Sequence, residues 1–193
     1  AQVLGYDAEG RLTASDVELT LIPYYAWAHR GSGNMMVWLP QEVSATSPSM
    51  SATLASESRV DASHKTTALS AINDRLVPVD ENDRSMAYYH WWPMKNSTEW
   101  ITYEFPKPSK VSSSTVYWFD DEPWGGCRVP QSWKLYYKDE QGGWTPVSAA
   151  GTYGTKKGVP NTVEFTLVQT TAMKLEVVLP KDNSAGVFEW EVE

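Results

Sequence analysis

One loop of this 193-residue chain, residues 116–130, concentrates side chains that could do chemistry. It starts as a strand and then holds three acids, a Trp, two glycines and an Arg. Glycine and proline already allow the backbone to turn, so we expect Trp124 and Arg128 to serve a partner outside the fold. An indole packs on the apolar face of a sugar ring, and a guanidinium donates to sugar hydroxyls. These two side chains therefore predict a sugar-binding loop.

The three acids of the loop, residues 120–122, raise the question of catalysis. A glycosidase needs two carboxylates at a fixed separation across the scissile bond. Neighbouring acids in one loop do not hold that separation, so we expect no catalysis from them. We interpret them as a solvated loop or as acceptors for sugar hydroxyls, a role that we give to Asp121.

The densest aromatic cluster, residues 88–92, reads Tyr-Tyr-His-Trp-Trp. Successive side chains of a strand point to opposite faces, so about half of the cluster should face the core. The alternative for either Trp is a core residue that plugs one end of the barrel. We expect at least one of Trp91 and Trp92 to share a face with Trp124. We expect His90 to add a neutral polar contact there.

Short alternating runs must position these loops. Within Ser132–Lys138, three residues, Trp133, Leu135 and Tyr137, alternate with their neighbours, as in a half-buried strand. Other strand-like runs are residues 100–105, 144–149, 163–168, 173–179 and 188–192. Residues 68–74 could form at most a helical turn or two. Many short strands between Gly, Pro and Asn turns indicate an all-β sandwich of the jelly-roll type.

The length of the chain suits one ordinary domain with an appendage. Residues 1–42 form a first block with predicted strands at 17–21 and 34–39. Two strands cannot make a core by themselves, so they belong to a preceding domain or to the sheet that follows. Residues 43–52 are rich in Ser, Thr and Pro and are predicted to be a linker. The main domain then covers residues 53–193.

The composition limits the class of partner. The formal net charge is −8 and no basic patch is visible, which argues against nucleic acid and anionic membranes. No apolar run is long enough to span a bilayer. The single cysteine, Cys127, excludes an internal disulfide and a multi-thiolate metal site. We interpret it as a small packed side chain; the alternative is a thiol made reactive by Arg128.

Residues 21–40, LIPYYAWAHRGSGNMMVWLP, resemble the tail of the catalytic module in bacterial β-L-arabinofuranosidase-like glycoside hydrolases. The resemblance implies a parent glycosidase of the periplasm or the cell exterior. That family uses a cysteine nucleophile at a zinc held by further cysteines and a glutamate, all upstream of this tail. Cys127 matches none of those positions. The resemblance therefore implies that this piece is not itself an enzyme.

Four further segments carry a second resemblance by their order and spacing: residues 71–74, 100–105, 128–130 and 188–192. Together they resemble the discoidin-like, coagulation-factor type C group of galactose-binding-like jelly rolls. Many members of that group are carbohydrate-binding modules. The resemblance implies such a module in the main domain.

Residues 73–83 hold more acids than an ordinary turn. In discoidin-like sugar modules a structural calcium ion commonly lies here, held by an Asp, by loop carbonyls and by a Glu of the last strand. The resemblance implies Asp74 and Glu189 as ligands, and we add Asp83 from its charge. Oxygen ligands in a flexible loop suit calcium rather than zinc. Arg75 stands where the family usually has Gly, and its guanidinium could instead replace the ion.

These observations predict a non-catalytic module that holds plant or host glycan near a parent catalytic module of the same polypeptide. The predicted sugar contacts are Trp124, Trp91 or Trp92, His90, Arg128 and Asp121. Two alternatives stay open. The domain could pack against the catalytic module without binding glycan, or the fragment could itself hydrolyse glycosides.

Overall fold

The structure is a computed structural model that describes residues 2–6, 12–16, 52–65 and 69–193. The chain divides into two units, residues 1–45 and 46–193. In the first unit, β1 (Gln2–Tyr6) pairs with β2 (Leu12–Asp16) in an antiparallel hairpin. This hairpin was not among the predicted strands. The strands predicted at 17–21 and 34–39 lie outside the described residues.

The regular secondary structure of the second unit is almost entirely strand, which confirms the predicted all-β class. Its strands are β3 (Arg59–Ala62), β4 (Tyr89–His90), β5 (Thr98–Phe119), β6 (Ser132–Lys138), β7 (Trp144–Pro146), β8 (Asn161–Val178) and β9 (Gly186–Val192). A short 3-10 helix, Leu69–Asn73, occupies the window in which a helical turn was predicted. β6 has the bounds that its alternation predicts. Among the residues described, no helix is long and apolar enough to cross a membrane.

Two long, bent strands organise the unit. The ladder between β5 and β8 shifts its register twice along its length. Such irregularities bend a strand and increase its twist. The sequence predicted two strands at 163–168 and 173–179, but the structure has one, β8. Gln169 and Thr170 continue the ladder between the two predicted pieces.

The bends divide the strands between two layers. The first part of β5 pairs with β3 and with the last part of β8, which also pairs with β6. The last part of β5 pairs with β9, which pairs with β4. Rings from the two layers meet across the core: Tyr103 stacks on Trp190 at 4.2 Å, and Trp118 meets Trp133 edge-on at 5.7 Å between centroids. The arrangement is the predicted β-sandwich.

Many of the aromatic side chains of the chain lie in the core. Trp91, Trp118, Trp133 and Trp190 are among the largest fully buried side chains. Burying an aromatic side chain contributes on the order of 2 kcal/mol or more. The tryptophans that remain well exposed in the described residues are Trp92, Trp124 and Trp144.

Candidate functional site

The loop between β5 and β6 takes its shape from Asp121. Its Oδ1 accepts from the backbone N–H of Cys127 at 2.7 Å, and Nη1 of Arg128 lies 3.4 Å from the same oxygen. Its carbonyl accepts from the N–H groups of Trp124 and Gly125 at 3.0 and 2.9 Å. The side chain is only 12% exposed. Asp121 therefore closes the loop on itself.

Two glycines let this loop approach its neighbours closely. A Cβ at Gly125 would overlap the Asp121 carboxylate, and a Cβ at Gly126 would overlap the indole of Trp92. The loop thus lies directly on Trp92, which comes from the segment after β4. A parallel bridge between Cys127 and Ser184 fixes the loop to the chain leading into β9.

A cleft of about 230 Å³ opens where these segments meet. The residues lining the cleft are Tyr88, His90, Trp92, Phe119, Asp121, Gly126 and Cys127. Its aromatic wall is rigid, because Tyr88 stacks on Phe119 with centroids 3.8 Å apart and Phe119 packs edge-on against Phe188. The lining of the cleft therefore combines flat aromatic rings with polar atoms, and ligand sites use both kinds of group.

His90 lines the cleft and carries an unsatisfied polar atom. Its Nδ1 is buried and has no hydrogen-bond partner among the described residues. Burial lowers the pKa of His90 below the ordinary 6.5, and the charge of His64 acts in the same direction, against that of Asp121. The imidazole is therefore neutral near pH 7, as the sequence predicted, and can exchange hydrogen bonds with hydroxyls.

The two exposed tryptophans near the loop differ in setting. Trp92 is 45% exposed and lines the cleft, with Lys95 Nζ 5.3 Å from its ring centroid. Trp124 is 89% exposed in the β5–β6 loop and does not line the cleft. Both rings are therefore available to a ligand in solution.

The inclusion of Trp91 among the sugar contacts is wrong. Its side chain is fully buried, and its ring packs edge-on against Tyr89 at 5.1 Å. Its backbone N–H donates to the carbonyl of Ala185, which draws the residue inward. Burial alternates along this segment: Tyr89 and Trp91 are buried, whereas His90 and Trp92 lie on the outer side.

Arg128 also differs from the expectation, because its guanidinium serves the fold. Nη1 donates to the carbonyls of Gly125 and Cys127 at 3.1 and 2.6 Å as well as lying near Asp121. The side chain is 22% exposed, and Arg128 does not line the cleft. The expectation that it serves only a partner outside the fold is wrong.

Arg84 is a neighbour of the cleft that the sequence analysis missed. Its Nη1 donates to the Tyr88 hydroxyl at 2.8 Å, and its guanidinium carbon lies 5.1 Å from the Phe119 ring centroid. Nη2 lies 3.8 Å from Oδ2 of Asp121. The only signal in the sequence was an Arg four residues before Tyr88, directly after the stretch interpreted as a metal loop.

The other two loop acids are engaged with the fold. Asp120 is fully buried and accepts from the N–H groups of Glu122 and Val129 at 3.0 and 3.1 Å. Lys157 Nζ lies 3.0 Å from Asp120 and 2.6 Å from Glu122. These carboxylates anchor the loop to the segment before β8.

Cys127 is a packed side chain. It is 4% exposed and packs with Phe119 and Phe188 in a small apolar cluster. Burial raises the pKa of the Cys127 thiol to about 12, and the opposing charge of Arg128 does not offset this. The thiol is therefore protonated at neutral pH, which makes it a poor nucleophile.

A second polar cluster lies between the 3-10 helix and β9. Glu189 is fully buried; its Oε2 accepts from the N–H of Arg75 at 3.0 Å, and its Oε1 has no partner. Burial raises the pKa of Glu189 to about 9 and also raises the pKa of Asp74. The charge of Asp74 raises the pKa of Glu189 further. Arg75 has φ +69°, a conformation that glycine adopts most easily.

Asp83 does not belong to this cluster, and the predicted three-residue metal set is wrong. Its carboxylate accepts from the N–H of Val79 at 3.1 Å and from the N–H and Oγ of Ser85 at 2.9 and 2.6 Å. Within the described part of the chain, no three His, Cys, Asp or Glu side chains are placed to share a metal ion. Asp83 shapes its own loop instead.

Comparison of the fold with solved structures defines the class of the second unit. A chain of the Streptococcus pneumoniae β-galactosidase BgaA matches with TM-score 0.57 and 19% identity, covering 69% of this chain and 89% of that one. The family 32 carbohydrate-binding module of Clostridium perfringens NanJ, in complex with galactose, matches with TM-score 0.54 and 18% identity, covering 72% and 95%. A C. perfringens GH89 family 32 module, in complex with GalNAc-β-1,3-galactose, matches with TM-score 0.53 and 16% identity, covering 74% and 99%. The second unit has the galactose-binding-like fold of such modules, as predicted.

The first unit is matched at the level of sequence. Residues 6–40 match the model of the glycoside hydrolase family 127 C-terminal domain. This match confirms the resemblance of residues 21–40 to a glycoside hydrolase. The chain thus combines a segment similar to the C-terminal domain of a glycoside hydrolase family with a sandwich whose fold is that of the solved carbohydrate-binding modules.

Proposed function

We propose that residues 46–193 form a non-catalytic carbohydrate-binding module of a polysaccharide-degrading glycosidase that works in the periplasm or outside the cell. The observation that carries the proposal is the cleft itself. It brings the half-exposed ring of Trp92 and the aromatic wall of Tyr88 together with the neutral imidazole of His90. The fold and the glycosidase-like first unit support the same role.

The cleft suits one sugar residue at a time. The apolar face of a sugar ring would lie on Trp92, and a hydroxyl would bond to the imidazole of His90. Trp124, outside the cleft, would contact the next residue of a longer glycan. An open site of this size buries little area, so affinity for a single sugar should be weak. Attachment to a catalytic module would add avidity.

Titration of the chain with galactose, arabinose and their oligosaccharides, followed by calorimetry and by NMR, tests the proposal. Trp92→Ala should weaken binding by roughly tenfold or more, the worth of one stacked ring. Trp144→Ala is the matched control, because Trp144 is 38% exposed in β7 and does not line the cleft. Absence of binding to every pentose and galactose ligand would contradict the proposal.

The alternative function is a structural domain that packs against the parent's catalytic module. An exposed apolar strip favours it: Leu76, Val77 and Val79 are 46%, 55% and 84% exposed. In the full-length parent, protection of this strip and of Trp124 from solvent labelling, together with no glycan binding by the chain, would support the alternative.

We propose that the chain itself is not catalytic, and turnover tests this directly. The loop carboxylates of Asp120 and Glu122 are held by Lys157, and that of Asp121 by the loop. Arabinofuranoside substrates should therefore show no sustained hydrolysis. Turnover that Asp121→Asn abolishes would contradict this.

We also propose that Asp74 and Glu189 hold a structural calcium ion. The residues fit the ion, because Oε1 of Glu189 is buried without a partner beside a second carboxylate. Oxygen ligands of this kind suit calcium, and carbonyls of the same loop would complete the set. The ion would supply the positive charge that lets Glu189 ionise, and would fasten the 3-10 helix to β9.

A further inference from the structure

The surroundings of the cleft are more basic than the rest of the chain. Three cationic side chains contact its lining: Arg84 on Tyr88, Phe119 and Asp121, Arg128 on Asp121, and Lys95 on the Trp92 ring. Asp121 is the one lining residue with a carboxylate. With the neighbouring Asp120 and Glu122 and their shared partner Lys157 included, the local balance is four positive charges against three negative, on a chain whose formal net charge is −8.

The nearby acids do not reverse this balance. The Asp120 carboxylate is fully buried and pairs with Lys157, which also pairs with Glu122. Oδ1 of Asp121 already accepts from the Cys127 N–H. The carboxylates in this region are thus used by the fold, while positive charge is left over beside the cleft.

Arg84 is the cation best placed to meet a ligand. Its side chain is 48% exposed, and its separation of 3.8 Å from Asp121 makes a loose ion pair. The hydrogen bond to Tyr88 and the contact with the Phe119 ring hold the guanidinium against the cleft wall. A guanidinium fixed in this way can donate two parallel hydrogen bonds to a carboxylate.

We infer that the cleft takes a sugar residue that carries a carboxylate, a uronic acid, and that Arg84 binds the carboxylate. The ring of the sugar would still lie on Trp92, so this inference rests on the proposed glycan-binding function. It goes further by naming the class of sugar. Arg84 is then the residue that determines specificity for acidic over neutral sugars.

Three matched ligands test the inference on the full chain: methyl galacturonoside, its neutral methyl ester and methyl galactoside. We expect the acid to bind about tenfold more tightly than the ester, as one charge-assisted contact would give. The preference should shrink as salt is added, because the contact is half exposed. NMR chemical-shift titration measures all three affinities even when they are weak.

Two variants assign the preference to Arg84. Arg84→Gln should bring the acid and the ester to equal affinity, and Arg84→Lys should keep part of the difference. Arg59→Gln is the matched control, because Arg59 is exposed and pairs with Glu104 on the ladder between β3 and β5. It removes the same charge without touching the cleft and should leave the preference unchanged.

Each outcome decides the matter. Equal affinity for acid and ester in the unmodified chain would overturn the inference while leaving glycan binding in place. A preference that survives Arg84→Gln would overturn the role of Arg84. If none of the three ligands binds, both this inference and the proposed function fail.

Discussion

Two buried acids in this domain have opposite surroundings. Asp121 closes the β5–β6 loop and has the Cys127 N–H and two guanidinium groups as neighbours. Glu189 lies on β9 with the carboxyl group of Asp74 beside it, and its Oε1 has no hydrogen-bond partner. One acid is surrounded by donors and cations, whereas the other is next to a second acid.

The difference shows how the fold uses each position. A buried charge is tolerated when it is paired and hydrogen-bonded, so Asp121 can serve as a fixed part of the structure. Burial raises the pKa of Glu189 to about 9, so near neutral pH it keeps a proton unless a cation takes its place. The first site is complete without a ligand, whereas at the second we propose a calcium ion.

The largest expected effect is on stability when Asp121 is replaced. Asp121→Ala would leave the Cys127 N–H and the Arg128 guanidinium without their acceptor in a largely buried loop. We expect a loss of about 3 kcal/mol in the free energy of unfolding, measured by urea denaturation. Asp182→Ala, at an exposed position, should change it by less than about 0.5 kcal/mol. An equally small effect at Asp121 would show that the loop does not depend on this acid.

The next effect concerns calcium at Glu189. A ligand at 100 times its Kd adds about 2.7 kcal/mol, which corresponds to a rise in Tm of about 8 °C for a domain of this size. We expect calcium, and not magnesium, to raise the Tm of the chelator-treated chain. Glu189→Gln should abolish the rise, and Glu191→Gln, the neighbouring acid on β9, should keep it. If the Tm is the same with calcium and with chelator, Glu189 binds no calcium ion and in this respect does not differ from Asp121.

A third prediction separates ligand binding from stability at the cleft. In Gly126→Ala, the new methyl group would overlap the Trp92 ring, so the ring must move. We expect a loss of about 1 kcal/mol in stability and about a tenfold fall in glycan affinity. Gly151→Ala is the control, since a Cβ there meets no atom within 4 Å. Unchanged glycan affinity in Gly126→Ala would show that the position of Trp92 does not matter for binding.

The sequence predicted the fold wherever one face of a strand is buried. In β6 the alternation can be recognised in the sequence, because Trp133 and Leu135 face the core while Ser132 and Lys134 face solvent. The sequence did not predict that β8 is one continuous strand. Gln169 and Thr170 are polar, and their pairing depends on β5, which is distant in sequence. Local pattern specifies faces, and partner strands specify where a strand ends.

The residues of the cleft were predictable only in part. The aromatic residues 88–92 were identified as a cluster, and their side chains do alternate, but alternation alone does not say which face of the segment is the core. Arg84 reaches the cleft through contacts with Tyr88 and Phe119, and Phe119 is 31 residues further along the chain than Tyr88. Arg128 is a residue of the type that often contacts ligands, but its guanidinium donates to the carbonyls of its own loop. Such roles depend on tertiary contacts that no spacing in the sequence encodes.

The smallest effect is the pH dependence of stability at His90. Its pKa lies below the ordinary 6.5 in the folded state, because of burial and of the charge on His64. The unfolded chain therefore binds a proton at a higher pH than the folded chain does. The stability that the neutral imidazole contributes is complete above the unfolded-state pKa of about 6.5 and is lost as the pH falls from there through the lowered folded-state pKa. Urea denaturation between pH of about 7.5 and about 5 should show a steeper decline for the unmodified chain than for His90→Gln, and parallel curves would mean that His90 titrates alike in both states.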